Sequence, residues 1–179
     1  MFRNFLPRIA ISFLPRIALT FLLVAFVLSV TRAQTTSAPA TLRVEGEVSQ
    51  PLTLQVADLA AMKHTVVRAK DHDGKEHSFS GVSVADILQR AGTPLGSQLR
   101  GKNMTKFLLI KAKDGYQTVF TLAELDSSFT DRPVILADQV DGVPLSADKG
   151  PFRVIVPGEK KYARWTWGVT TFIIKSGGE

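Results

Sequence analysis

The sequence predicts a single α+β domain built from short strands, hairpins and a few short helices. Short apolar segments alternate with turn sequences, among them Asp73-Gly74, Asp114-Gly115, Asp141-Gly142 and Pro157-Gly158. Asp-Gly pairs suit the positive φ angles of tight hairpin turns, so they indicate strands that return on themselves. No change of composition divides the chain after its first 40 residues, and we therefore expect one domain over residues 41–176.

The first 33 residues have the three-part layout of a secretory signal peptide. Basic residues without acids precede an uncharged apolar run of 14 residues, 17–30, which ends at Thr31-Arg32-Ala33. We expect cleavage after Ala33, a flexible lead-in over residues 34–40, and a periplasmic or secreted protein. An uncleaved membrane anchor is the alternative, although the apolar run is shorter than the ~20 residues that span a bilayer.

Charge and cysteine content exclude several classes of function. Four of the 22 Lys and Arg residues lie in the leader, so residues 34–179 carry 18 basic and 16 acidic side chains, a formal charge of +2. This small excess does not predict a nucleic acid partner. The chain has no cysteine, which excludes disulfides, zinc thiolate sites, CxxC redox chemistry and a cysteine nucleophile.

The first part of the domain is predicted to contain three strands, an extended segment and a helix. Alternating apolar residues predict a strand over residues 41–48, then an extended segment at 50–54 and a helix at 56–62. Residues 64–68 and 76–79 are predicted to pair as a hairpin around the first Asp-Gly turn.

A second helix is predicted at residues 84–91. Ser83 suits the N-cap, Asp86 lies three residues on as in a capping box, and Gly92 follows the last turn. We therefore expect the Ser83 side chain to cap the helix. This role explains Ser83 better than a serine nucleophile does, because the second Gly of the usual nucleophile motif is missing.

The second half of the domain is predicted to consist mainly of strands. Residues 107–113 and 116–120 flank the second Asp-Gly turn, 122–125 form a short helix and 134–137 a buried strand. The last strand is predicted at residues 165–174. Because apolar residues occupy both of its faces, we expect it in the interior of a sheet.

Basic residues are most densely grouped near the end of the domain. Arg153 interrupts an apolar run where a core residue is expected, and such interruptions tend to lie at functional sites. Strand alternation would place several of these side chains on one rim beside Tyr162 and two tryptophans. Such a rim suits a small anionic ligand, because Arg donates in a fixed fork; the alternative is a solvated basic loop with tryptophans in the core. The basic group consists of Lys149, Arg153, Lys160, Lys161, Arg164 and Lys175.

One of the three histidines, His72, lies among acidic residues. Asp71, Asp73 and Glu76 flank it, and histidine with carboxylates is a ligand set for zinc or harder ions. The spacing of a calcium loop is incomplete, so we interpret the segment as a charged hairpin tip without a metal. No other pattern identifies a catalytic residue, and no glycine-rich phosphate-binding motif is present.

Six motifs follow one another along the domain: residues 42–48 with Pro51, residues 79–88 with Ala91-Gly92, Asp114-Gly115-Tyr116, Ile135-Leu136-Ala137, residues 141–145, and residues 150–158. Together they resemble the sulfite oxidase-type family of oxidoreductase molybdopterin-binding domains. The resemblance implies that family's fold, a single α+β domain of mixed sheets with short helices. It also implies that Arg153 and Arg164 contact the polar head of the pterin, on the same rim as Lys149, Lys160 and Lys161.

Three departures from the family pattern bear on activity. The family's metal-binding cysteine, expected between residues 67 and 79, is absent, and a soft thiolate is what fixes molybdenum in the active members. Asp148 replaces a histidine of many members, and residues 159–162 fill a loop that has another glycine in the family. The leader also lacks the Arg-Arg pair of the export route that carries folded, cofactor-loaded proteins.

We therefore expect an exported, non-catalytic binding or interaction module of this fold. Its partner would be a small anionic ligand or a periplasmic protein held by the rim of Arg153 and Arg164, with membrane contact only if the leader is retained. Two alternatives remain open: a molybdopterin-dependent oxidoreductase in which the pterin alone holds the metal, and an accessory subunit of a periplasmic redox complex.

Overall fold

The computed structural model describes residues 40–146 and 148–178. The predicted leader, and the lead-in as far as residue 39, lie outside these residues. The described residues form two sheets and a few short helices, which confirms the predicted α+β class. None of the helices in these ranges is long and apolar enough to cross a membrane. In chain order the elements are β1 (Thr41–Gly46), β2 (Leu52–Gln55), α1 (Val56–Ala60), β3 (His64–Lys70), β4 (Glu76–Ser83), α2 (Val84–Arg90), β5 (Lys106–Ala112), β6 (Gln117–Thr121), β7 (Ile135–Val140), β8 (Val143–Pro144), β9 (Arg153–Ile155) and β10 (Val169–Ser176).

The first sheet has the strand order β2-β1-β10-β5-β6. β1 and β10 are parallel, with Val44 opposite Phe172, and the other neighbours are antiparallel. The sheet is therefore mixed, as the resemblance implied. β10 lies between β1 and β5, which confirms that the last strand is interior. β5 and β6 form the hairpin predicted around Asp114-Gly115.

The second sheet has the order β3-β4-β7-β8, and β9 pairs with the first half of β7. All of its pairs are antiparallel, and the β3–β4 hairpin confirms the first predicted turn. Gly81 lies at a register shift between β4 and β7. A Cβ there would be 2.1 Å from the carbonyl oxygen of Leu136, so this close approach requires glycine.

The predicted cap of α2 is wrong, although the helix itself is present. The Ser83 side chain makes no capping hydrogen bond. Ser83 is instead the last residue of β4, and the next backbone N–H, that of Val84, donates to the carbonyl oxygen of Val134 at 3.0 Å. The residue just before β7 thus supplies a backbone partner at the start of the helix. Gly92 follows the helix with a φ of 72°, as its predicted C-terminal role requires.

The last strand begins four residues later than predicted, at Val169. Tyr162–Arg164 form a 3-10 helix, and the segment after it runs alongside β9 rather than in the first sheet. Val154 N–H donates to Thr166 at 2.9 Å, and an isolated antiparallel bridge joins Arg153 to Trp167. Only after this does the chain enter the first sheet as β10, and Trp167 is consequently placed beside Arg153.

One hydrophobic core connects the two sheets and α2. Its side chains come from β1, β4, α2, β5 and β10, as shown by Leu42, Phe79, Ile87, Ile110 and Phe172, all fully buried. Trp165 is also part of this core, and its indole N–H donates to the carbonyl oxygen of Val156 at 3.0 Å. The core therefore fixes β9 and the aromatic segment next to it.

Candidate ligand-binding cleft

Arg153 is the first residue of β9 and is a fully buried cation, with only 1% of its surface exposed. β7 flanks it on one side, where Ala137 is its register partner, and Trp167 bridges to it on the other. Its guanidinium forms a two-pronged ion pair with Asp71: Nη1 lies 2.6 Å from Oδ2 and Nη2 lies 2.7 Å from Oδ1. This is the strongest common geometry for an Arg–carboxylate pair.

Aromatic rings surround the rest of the guanidinium. Its Cζ lies 3.3 Å from the ring centroid of Trp167, 5.1 Å from that of Trp165 and 5.5 Å from that of Phe79. Cation–π attraction to these rings compensates part of the desolvation of the charge. For Nε, the described residues offer no hydrogen-bond partner. Arg153 is thus held by one carboxylate and three rings.

Asp71 is held in position by hydrogen bonds of its backbone in the β3–β4 turn. Its N–H donates to Lys75 at 2.9 Å, and the Tyr162 hydroxyl donates to its carbonyl oxygen at 3.2 Å. Partial burial would raise the pKa of the Asp71 carboxyl, but the hydrogen bonds from Arg153 and from the His72 N–H lower this pKa to about 2. The Asp71 side chain is therefore ionised at neutral pH, and the turn holds it in place.

His77 connects two turns at the rim of the same region. Its Nδ1 lies 2.6 Å from Asp141 Oδ2 and its Nε2 lies 3.1 Å from Asp73 Oδ2. The hydrogen bonds to Asp141 and Asp73 raise the pKa of His77. His77 therefore ties the β3–β4 turn to the β7–β8 turn.

The hairpin tip does not gather its side chains around one point. Asp71 is engaged by Arg153, Asp73 by His77, and the ring of His72 packs against Tyr162 with centroids 4.3 Å apart. In the part of the chain that the structure describes, no group of three or more His, Asp or Glu side chains is arranged to hold a metal ion.

A cleft of about 450 Å³ opens where these groups meet, between the β3–β4 turn, the β7–β8 turn and β9. Its polar lining includes the Asp71–Arg153 pair, His77 with its partners Asp73 and Asp141, and Lys149. A smaller cavity of about 240 Å³ adjoins it and shares two walls, His72 and Trp167. Aromatic side chains dominate the smaller cavity. They are His72, Tyr116, Tyr162, Trp165 and Trp167, and Asp114 also lines it.

Arg164, the second predicted contact, lies outside both cavities and is also paired with acids. Its Nη1 lies 2.9 Å from Glu124 Oε1, its Nε and Nη2 bond Glu159, and its Cζ is 4.3 Å from the Phe120 ring centroid. Burial would lower the pKa of Arg164, but the hydrogen bonds to Glu159 and Glu124 raise it. The structure therefore places Arg164 in an ion-pair network of its own.

The predicted basic rim is brought together only in part. Lys149 lines the cleft with Arg153, and its Nζ lies 5.4 Å from the Trp167 ring centroid. Lys160, Lys161 and Lys175 are exposed and line neither cavity. Of the five predicted cofactor contacts, Arg153 and Lys149 share a site.

Sequence reasoning missed Asp71 as the partner of Arg153. The two residues are 82 positions apart and their pairing depends on the packing of the β3–β4 turn over β9. A signal was nevertheless present, because an arginine in an apolar strand needs a carboxylate partner, and Asp71 stands at a predicted turn. The sequence contains no comparable signal for the contact between His77 and Asp141.

Comparison with known proteins identifies the family. A family model described as the oxidoreductase molybdopterin binding domain matches residues 30–169. The match covers most of the chain, so the chain belongs to this family, which confirms the resemblance drawn from its motifs. No curated protein matches the sequence.

A solved structure shares the fold. It is the crystal structure of the sulfane dehydrogenase SoxCD from Paracoccus pantotrophus, with a TM-score of 0.59 and 20% sequence identity. The alignment covers 75% of this chain and 38% of that chain. The chain thus spans well under half the length of that relative, and the likeness shows the fold alone.

The residues of the cleft do not fit an anionic molybdenum–pterin group. The chain has no cysteine to supply a thiolate, which is the soft ligand that suits such a metal. The donors of Arg153 that would receive an anion already bond Asp71, and two further carboxylates, Asp73 and Asp141, line the same cleft. Arg164 is likewise paired with two acids.

Proposed function

We propose that this protein is an exported, non-catalytic member of the molybdopterin-binding-domain family. Its cleft serves as a binding site for a small ligand or for a segment of a periplasmic partner. The observation that carries the proposal is the two-pronged bond between Arg153 and Asp71, since it commits the family's cofactor-contacting arginine to the protein's own carboxylate. The absence of any cysteine supports it independently.

A binding role is supported by the way the cleft is built. In the smaller cavity that adjoins the cleft, the Tyr116 hydroxyl donates to Ala163 at 2.7 Å and the Tyr162 hydroxyl donates to Asp71, so both rings are held in place. A cavity with fixed aromatic walls and a few polar groups is the usual form of a small-molecule site. Export is supported by the leader sequence, whose lack of an Arg-Arg pair favours passage of an unfolded, cofactor-free chain.

Family membership favours a second candidate, a molybdopterin-dependent oxidoreductase whose metal is held by the pterin alone. In that case the pair of Arg153 and Asp71 would have to open so that the arginine donors face the cofactor. A role as an accessory subunit of a periplasmic redox complex is compatible with either candidate.

Analysis of the protein purified from its native host, with its own leader, separates the candidates. We expect mature protein in the exported fraction that contains neither stoichiometric molybdenum nor a pterin released by oxidation. A cysteine-containing family member expressed in the same host is the positive control for cofactor supply. One molybdenum per chain would contradict the proposed function and establish the oxidoreductase.

A further inference from the structure

We propose that Asp71 determines the charge specificity of the cleft: its carboxylate is a built-in ligand of Arg153 that excludes anions, and its removal would turn the cleft into an oxyanion site. The inference rests on the proposed function and deepens it, because it restricts the natural ligand to neutral or cationic molecules. It reverses the expectation, drawn from the basic rim, of a small anionic ligand.

A carboxylate and a phosphate-type oxyanion use the same two parallel N–H donors of a guanidinium. In this protein both donors end on Asp71, at 2.6 and 2.7 Å. The flat face of the guanidinium is covered by Trp167, with Cζ 3.3 Å from the ring centroid. The remaining donor, Nε–H, has no hydrogen-bond partner but is itself buried. An external anion can therefore reach the end-on pair, Nη1 and Nη2, only by displacing Asp71.

Asp71 is tethered to the same chain and held by the bonds of its N–H to Lys75 and of its carbonyl oxygen to Tyr162. A preorganised internal ligand loses no translational freedom on binding, whereas a free anion does. The carboxylate of Asp71 also accepts the His72 N–H at 2.7 Å, a bond that displacement would break.

The ion pair of Asp71 and Arg153 is neutral, and the cleft beyond it carries Asp73 and Asp141 with His77 between them, and also Lys149. An incoming anion thus meets two more carboxylates. Without the Asp71 charge, Arg153 has no compensating carboxylate among its described contacts, and Lys149 adds to its attraction for an anion.

The test uses inorganic phosphate as the probe and compares the wild type with Asp71→Asn, Asp73→Asn and the double variant Asp71→Asn/Arg153→Gln. Asp73→Asn is the matched control, because it removes one negative charge from the same hairpin and cleft without touching Arg153. We expect Asp71→Asn to bind phosphate at least about tenfold more tightly than the wild type or Asp73→Asn. The double variant should lose this gain.

Thermal unfolding keeps the comparison usable if Asp71→Asn is too unstable to titrate. A ligand that binds only the native state raises the melting temperature, so phosphate should raise that of Asp71→Asn more than that of Asp73→Asn. An equal rise in both would overturn the proposal, because the effect would then follow net charge. Retention of the gain in the double variant would overturn it as well.

A measurement on the wild type alone does not depend on the stability of any variant. The side-chain N–H signals of Arg153 in a ¹H–¹⁵N spectrum should stay unchanged as phosphate is added, and a saturable shift would overturn the proposal. Failure of the proposed function would appear differently, as molybdenum in the native protein. The two failures are therefore distinguishable.

Discussion

At the scale of single residues, the energetics of the cleft depend on the buried cation Arg153. A buried charge is costly unless it is paired and hydrogen-bonded. Asp71 supplies the pairing and Trp167 covers the guanidinium face, while Asp71 itself retains 17% of its side-chain exposure. The two partners are unequal, because only Arg153 lies wholly out of contact with water. Loss of Asp71 therefore leaves an uncompensated charge in the core.

We expect Asp71→Ala to lower the free energy of unfolding by about 3–5 kcal/mol, the usual cost of removing one partner from a buried ion pair. Adding Arg153→Met to that variant should recover most of the loss, because an unbranched apolar side chain can pack among the rings of Trp167 and Trp165. Urea unfolding of the wild type, both single variants and the double variant measures this coupling. Additive losses would show that the pair is not an energetic unit.

At the scale of secondary-structure elements, two helix starts that look alike in sequence differ in the structure. Thr121 and Glu124 form a reciprocal capping box at the 3-10 helix Leu122–Glu124: the Thr121 N–H donates to Glu124 at 2.9 Å and Thr121 Oγ1 accepts the Glu124 N–H at 3.3 Å. Ser83 makes no such bond at α2. The start of α2 thus depends on the pairing of β4 with β7 rather than on a side-chain cap.

Alanine substitution distinguishes the two helix starts. We expect Thr121→Ala to cost about 1 kcal/mol of unfolding free energy, as is typical of a lost N-cap. Ser83→Ala should cost less than about 0.5 kcal/mol, because it removes no capping bond. Chemical denaturation of both variants is the measurement, and a larger loss for Ser83→Ala would contradict the assignment.

Strands and helices could be predicted where a local sequence signal marks them. Their ends could not be predicted where tertiary packing determines them. The Asp-Gly turns located three hairpins, at β3–β4, β5–β6 and β7–β8. The start of β10 was predicted too early, because the alternation of Trp165 and Trp167 fits a strand and nothing local shows that this segment pairs with β9. Likewise, Ser83 has the right residue type for a cap, but the chain on its N-terminal side is already a strand.

At the scale of the whole molecule, the family and fold could be predicted from ordered motifs, whereas the chemistry of the site could not. Arg153 was identified because it breaks an apolar pattern. Its partner Asp71 became apparent only when the β3–β4 turn was seen packed over β9, and this pairing changes Arg153 from an anion receptor into half of a neutral pair. A family resemblance shows which residues correspond in position, but it does not show which charged side chains are already paired within the protein.

The ion pair of Asp71 and Arg153 also makes the stability of the fold depend on pH. Asp71 has a lowered pKa in the folded protein, about 2 instead of 3.8. A group whose pKa is depressed by folding contributes stability above its ordinary pKa, and that contribution is lost as the pH falls through the folded value. The β3–β4 turn and β9 are thus held together most strongly at pH values where Asp71 is ionised.

The most direct test of the central claim, that Asp71 and not an external group binds Arg153, is the titration of the Asp71 carboxyl by ¹³C NMR in the folded wild type. Urea-unfolded protein provides the reference for the ordinary value of 3.8. We expect the folded carboxyl to remain ionised well below that value, with a pKa of about 2. A folded-state pKa at or above the unfolded one would show that the pair does not form in solution, and would leave Arg153 open to an anionic ligand.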